Sequence, residues 1–174
     1  MSAGSARPTQ RVGPTNNELP ERRRLYHDVP RWVQTDDAVF FITVCCADRG
    51  TNHLYKEGIA KALFETMGNR VERDIWHPYL VLLMPDHLHM LLHFNLRAHA
   101  MAAVMARWKD WARKRTGIVW QRGFFDHRLR GDEGWREKAD YILHNPVRAG
   151  LVLRWEDWPY VWFPAGRAGA LPRP

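Results

Sequence analysis

The chain has 174 residues, 45% of them hydrophobic, with nine tryptophans and a formal net charge of +7. That length supports one domain with a packed core and leaves little room for two. The positive balance favours an acidic partner, nucleic acid ahead of an anionic membrane surface. No stretch approaches the ~20 apolar residues of a membrane-spanning helix. The two cysteines are adjacent, Cys45 and Cys46, so there is neither a disulfide framework nor a CxxC zinc pattern, which fits a reducing cytoplasm.

Residues 1–30 are polar and rich in Pro, Gly, Ser and Asn, with an Arg22-Arg23-Arg24 cluster and no apolar signal segment. They read as a flexible basic arm. A first strand is expected over Ala38–Ala47, where β-branched and aromatic residues concentrate. A helix follows from about Lys56 to Arg73, with Ile59, Leu63, Met67 and Val71 spaced by four into one stripe. The run from Leu80 to Phe94 reads as two apolar strands joined by a tight Pro85-Asp86 turn. Strand side chains alternate, so Leu88, Met90, Leu92 and Phe94 share a core face while His87, His89 and His93 point to the other.

A second helix is expected from Ala100 to Arg115, with Met101, Val104, Met105, Trp108 and Trp111 inward. Basic residues cluster on it and just beyond: Arg107, Lys109, Arg113, Lys114, Arg115, Arg122, Arg128 and Arg130, against Asp110 and Asp126. A short strand over Phe124–Leu129 completes a β-α-β-β-α-β order. That order predicts an α+β, ferredoxin-like fold: a four-stranded antiparallel sheet, two helices on one face, the other face open. A further helix from Glu133 to His144, with Asp132 as N-cap and Pro146 as stop, packs through Trp135, Ala139 and Ile142. The domain is expected over 31–150, with a Trp/Pro-rich tail at 151–174 wrapping its surface.

Strand alternation frees His87 and His89 from the core, and two imidazoles at i, i+2 can present two nitrogens to one cation. Hydrogen-bonded surface histidines are the plainer alternative. Tyr141 and Asn145 lie four apart, one helical turn. A phenol needs a cationic or metal-rich setting, or a neighbouring base, to attack phosphorus. A half-buried aromatic and a helix-terminal amide before proline are the plainer readings of these two.

Three blocks together sharpen the picture: Met84-Pro-Asp-His-Leu-His89, Trp120-Gln-Arg-Gly-Phe-Phe-Asp-His127 and Tyr141-Ile-Leu-His-Asn-Pro-Val-Arg-Ala-Gly-Leu151. His-hydrophobic-His resembles the motif of HUH endonucleases. The set of three, spread over Ala38–Phe163, resembles the single-tyrosine HUH transposases, and among them the REP-associated tyrosine transposases. The resemblance implies that His87, His89 and Asn145 hold Mg²⁺ or Mn²⁺ and that Tyr141 is the nucleophile. It implies cleavage and rejoining of single-stranded DNA beside a hairpin through a 5′-phosphotyrosine link, by a cytoplasmic monomer or homodimer. DNA contacts are expected from the basic cluster, from Arg148 and from His127; Asp126 and His127 match a family block without an assigned catalytic role. Two other readings stay open: a catalytically silent hairpin-binding module of the same fold, and a zinc hydrolase using the two histidines and one further ligand.

Overall fold

A computed structural model of the chain describes residues 38–164 apart from 51–53, 97–99 and 130, and of 131–133 the backbone only. The arm at 1–30, Arg130 and the tail beyond 164 lie outside the described residues. The elements in chain order are β1 (Val39–Cys45), α1 (Glu57–Glu72), β2 (Trp76–Leu83), β3 (His87–Phe94), α2 (Met101–Thr116) and β4 (Phe125–Arg128). They continue with α3 (Gly131–Leu143), α4 (Asn145–Arg148) and β5 (Val161–Trp162).

The strands form one antiparallel sheet in the order β4-β1-β3-β2-β5. The βαββαβ order is therefore present, but the sheet has five strands, not four. The extra strand comes from the tail: Val161 and Trp162 pair with Leu82 and Val81, which continues the sheet past β2. Two residues are too short to show an alternation, so β5 leaves no periodic trace in the sequence.

The two sheet faces carry separate cores. On one, Phe40, Ile42 and Val44 of β1 and Leu88, Met90, Leu92 and Phe94 of β3 pack against α1 and α2. α2 buries Met101, Val104, Met105 and Trp108 as its spacing predicts, with Ala112 taking the place expected of the half-buried Trp111. It stops at Gly117, whose left-handed backbone (φ 73°) lets its N–H bond the Arg113 carbonyl at 2.8 Å. In α1 the buried stripe is rotated from the expected one. Thr66 and Arg70 are buried while Ile59 and Val71 are only partly so. Polar groups can go inside here because each has a partner. The Thr66 hydroxyl donates to the Leu63 carbonyl and accepts from Trp108 Nε1, and the Arg70 guanidinium lies 5.0 Å from the Trp111 ring centre.

The second face is not left open. Phe41, Leu80, Leu82, Met84 and Leu91 project there and are covered by Ala139, Ile142 and Leu143 of α3 and by Trp158. Trp135 packs partly against the same cluster, so the expected α3 stripe is the one used. α3 begins at Gly131, which places Asp132 inside its first turn and not at its cap. Pro146 sits in the first turn of α4, where its missing N–H costs nothing. Trp158 is anchored by an Nε1–H bond to the Leu83 carbonyl at 2.9 Å.

Candidate active site

The β1–β3 register pairs Thr43 with His89 and Cys45 with His87, and both imidazoles stand on the face that α3 covers. They are neighbours, with ring centres 4.9 Å apart. Each is tethered through Nδ1. His87 Nδ1 is 2.7 Å from Asp86 Oδ1. A carboxylate only accepts, so Nδ1 carries the proton, and Nε2 of the neutral ring is left with its lone pair. Asp86 is itself fixed by the Gly50 N–H at 2.7 Å and by Arg49 at 3.2 Å. Burial alone would raise the Asp86 carboxyl, but the bonds from Gly50 and His87 and the charge of Arg49 outweigh it and hold it below its ordinary value.

His89 Nδ1 lies 2.9 Å from the Thr43 hydroxyl, and its ring stacks on Phe41 at 5.4 Å. It is 7% exposed. Burial first, then repulsion from His87, Arg148, Arg49 and Lys138, pushes its pKa down to about 3. The ring is therefore neutral at physiological pH, the state a metal ligand requires. A carboxylate on the far nitrogen, as Asp86 is for His87, is also how ligating histidines are ordinarily oriented. Asp86 and Thr43 are thus part of the site. The sequence shows Asp86 only as a turn residue, although its place directly before His87 was a usable signal; Thr43 becomes visible only through strand pairing.

Tyr141 is exposed (48%) and joined to the histidines by side-chain contacts. Lys138 Nζ lies 5.1 Å from the Tyr141 ring centre and 4.9 Å from that of Phe41, and Phe41 is the ring stacked on His89. On its other side Tyr141 is held by Arg148, whose guanidinium carbon is 4.2 Å from the ring centre. Arg148 Nη2 donates to the Tyr141 carbonyl at 2.7 Å and to Asn145 Oδ1 at 2.9 Å. Asn145 Nδ2 donates back to the carbonyls of Tyr141 and Ile142. A single chain therefore brings Tyr141 to the histidine face, while the Asn145 oxygen is held by Arg148.

The donor set fits a divalent cation in its chemistry: two neighbouring imidazoles, with Nε2 of His87 left its lone pair by the bond to Asp86, and the amide oxygen of Asn145, held by Arg148. Among the described residues no group of three or more His, Cys, Asp or Glu side chains is placed to hold a metal ion. Asn145 is the third ligand that the resemblance implies, and its amide oxygen suits a hard cation better than zinc.

No family model matches the sequence. A Haemophilus influenzae protein provisionally described as a REP-associated tyrosine transposase is 26% identical over 155 residues, covering 74% of this chain and 81% of its own. The REP-associated tyrosine transposase of Escherichia coli is 28% identical over 102 residues, covering 54% and 59%. A solved structure of a REP-associated tyrosine transposase bound to a REP hairpin matches with a TM-score of 0.67 over 89% of each chain, at 23% identity. The chain is similar to the REP-associated tyrosine transposases. At that identity the structural match speaks for the fold, and the two sequence relatives carry the likeness.

Set beside that transposase likeness, the basic residues divide. α2 packs on the sheet face opposite the histidines, and much of its charge is already engaged. Arg113 and Lys114 pair with Asp110 at 3.2 and 2.7 Å, and Arg115 pairs with Glu65 at 3.6 Å. Lys109 is half-buried and donates to the carbonyls of Gln121 and Gly123, so it braces the loop before β4. Arg107 and Arg122 are exposed. Arg128 and His127 sit on β4, opposite Phe40 and Phe41, and line a cleft of about 680 Å³ with Leu129, Gly134, Glu137 and Lys138. Phe125, 47% exposed, packs edge-on to Phe41. No described helix is long and apolar enough to cross a membrane.

Proposed function

We propose that the protein cleaves and rejoins single-stranded DNA at hairpins of repetitive extragenic palindromes, with Tyr141 as nucleophile. The observation that carries this reading is the run of contacts from Tyr141 through Lys138 and Phe41 to His89, beside a tethered pair of imidazoles. The likeness to transposases bearing that description supports the choice of substrate.

His87 and His89, with Asn145 as third donor, would hold Mg²⁺ or Mn²⁺, which when bound polarises a non-bridging phosphate oxygen and offsets charge developing in line. The chain's own groups do the rest. Arg148 and Lys138 flank the phenol and fix its direction. The Tyr141 oxygen attacks phosphorus and gives up its proton as the new P–O bond forms. The bond to the 3′ oxygen breaks, and that oxygen leaves as a free 3′-OH. The product is a 5′-phosphotyrosine. Because a phosphodiester is exchanged for another, a 3′-OH can reverse the step without ATP. Phe125 offers an exposed ring on which an unpaired base can stack.

The test is incubation with labelled hairpin DNA carrying single-stranded flanks, plus Mg²⁺ or Mn²⁺, followed by a denaturing gel. A covalent protein–DNA adduct is expected and is lost in Tyr141→Phe. An adduct that survives that substitution removes Tyr141 from the role. Tight hairpin binding with no adduct under either metal identifies the silent binding module instead.

A further inference from the structure

The sheet face that α1 and α2 cover holds a buried cation for which the strand-cleavage chemistry has no task. Arg70, in the last turn of α1, is 8% exposed. Its guanidinium carbon lies over two indoles, 5.0 Å from the ring centre of Trp111 and 5.9 Å from that of Trp76. Such contacts answer the charge through a ring face. They do nothing for the N–H donors in the guanidinium plane, and among the described residues none of those donors meets an acceptor. The nitrogens are not sealed in either. Among the described residues Trp120 Nε1 is the one enclosed side-chain nitrogen or oxygen without a partner, so the Arg70 nitrogens reach solvent at an edge.

The surrounding charges deepen the imbalance. Arg73 caps the C-terminal end of α1 and is exposed, as is Arg107 on α2. Both disfavour the Arg70 cation, after burial itself, and no carboxylate is among the charges that act on it. The carboxylates nearby are engaged elsewhere: Asp110 takes Arg113 and Lys114, and Glu65 takes Arg115. Arg107 Nε donates only within its own helix, to the Ala103 carbonyl at 3.3 Å. The C-terminal end of α1 draws cations, but its partial charge is only about −0.5, against three guanidiniums. Burying a cation without a counter-charge is costly. A set made of donors alone is completed by an oxyanion, and guanidinium is the side-chain group whose planar fork matches one.

We propose that Arg70, with Arg73 and Arg107 beside it, binds a phosphate-class oxyanion between α1 and α2, on the sheet face opposite Tyr141. The anion accepts from the open edge of the Arg70 guanidinium, which the two indoles hold in place. Arg73 and Arg107 add attraction from the rim. Free phosphate and the phosphate group of a small ester share this chemistry. The site is independent of the strand-cleavage reading, and its test needs neither DNA cleavage nor a metal.

The full chain is unfolded in urea at pH 7 with EDTA, in sodium phosphate and in sodium chloride of equal ionic strength. By mass action, phosphate at roughly ten times its dissociation constant raises the folded-to-unfolded ratio about tenfold, and a rise of that kind is expected for the native chain. Phosphate also stabilises proteins generally, through exclusion from their surface, an effect that no single side chain controls. Arg70→Met puts an apolar chain in place of the buried cation. It is expected to keep near-native stability in chloride and to lose the phosphate-specific rise. No rise in the native chain, or an equal rise in Arg70→Met, overturns the site. Arg73→Gln combined with Arg107→Gln changes only exposed positions and decides the matter even if Arg70→Met fails to fold. Its phosphate rise is expected to shrink at least twofold, and an undiminished rise overturns the proposal. A nucleoside monophosphate in place of phosphate separates the two sources: a larger Arg70-dependent rise assigns the anion to an ester, an equal or smaller one to the free ion, and either keeps the site. An Arg70-dependent rise with a short DNA duplex and none with either small phosphate makes Arg70 part of a DNA-binding surface and overturns the small-anion site.

Discussion

His87 and His89 differ in what holds them, and the difference sets how each responds to substitution. His87 is oriented by a carboxylate that is itself pinned by Gly50 and Arg49. Asp86→Ala removes the group that fixes the ring and its tautomer, and loss of such a partner ordinarily costs 10–100-fold in metal affinity. Mn²⁺ titration of the native and Asp86→Ala chains should show a loss in about that range; an unchanged affinity would separate Asp86 from metal binding. Arg148 has a different task. It lies on the Tyr141 ring and holds Asn145 Oδ1, so it stands between the nucleophile and the third candidate ligand. Arg148→Ala frees that oxygen and removes a cation whose charge reaches His89. Mn²⁺ is therefore expected to bind Arg148→Ala at least as tightly as the native chain, while adduct formation slows because the phenol is no longer held. A parallel loss of both would mark Arg148 as a general support of the fold. Neither role could be read from residue type, since an aspartate in a turn and an arginine after a helix each have an ordinary local explanation.

At the level of elements, the site exists because α3 lies across the histidine face. The contact is made by small and medium side chains: Ala139 and Ile142 are fully buried against the cluster that includes Phe41, Leu82 and Leu91. Ala139→Phe inserts a ring where there is no space, and such overpacking typically costs 1–3 kcal/mol. It should also lift α3, so adduct formation falls further than hairpin affinity does. Urea unfolding and the gel assay on one preparation check this. A stability loss with an unchanged cleavage rate would mean that α3 docking does not position Tyr141. This arrangement was partly legible in advance. Alternation along Leu88–Phe94 sorted the histidines from the core, and the Trp135/Ala139/Ile142 spacing gave the packed stripe of α3. What the sequence concealed was where that stripe docks, since periodicity states which side of a helix is buried but not against what. The same gap hid the fifth strand and Trp158, which complete the second core from a tail that carries no pattern. It also gave no sign that the Lys109 ammonium group braces the loop ahead of β4.

For the molecule as a whole, two cores on opposite sheet faces carry unequal chemical risk. The face toward α1 and α2 is largely apolar, with Thr66 and Arg70 as its buried polar members, whereas the α3 face encloses an imidazole that must stay neutral. The unfolded chain protonates His89 near its ordinary value of 6.5, while the folded chain resists until about 3. Between those values the unfolded state binds a proton that the folded state does not, so stability rises with pH across this window. It is complete above about 6.5 and declines as pH falls toward 3. Asp86, held below its ordinary value of 3.8, adds to the acid loss only beneath that value, so the span from pH 7 to 5 belongs to His89. One proton over about 1.5 pH units is worth roughly 2 kcal/mol, and urea unfolding at pH 7 and pH 5 should differ by about that amount. His89→Gln has no imidazole to titrate and should lose most of the difference while keeping a polar partner for Thr43. If the native chain and His89→Gln weaken equally on acidification, the buried ring is not the group responsible. Protons and a divalent cation compete for the same imidazole nitrogens, so an added metal should move the native decline to lower pH and leave His89→Gln almost unaffected.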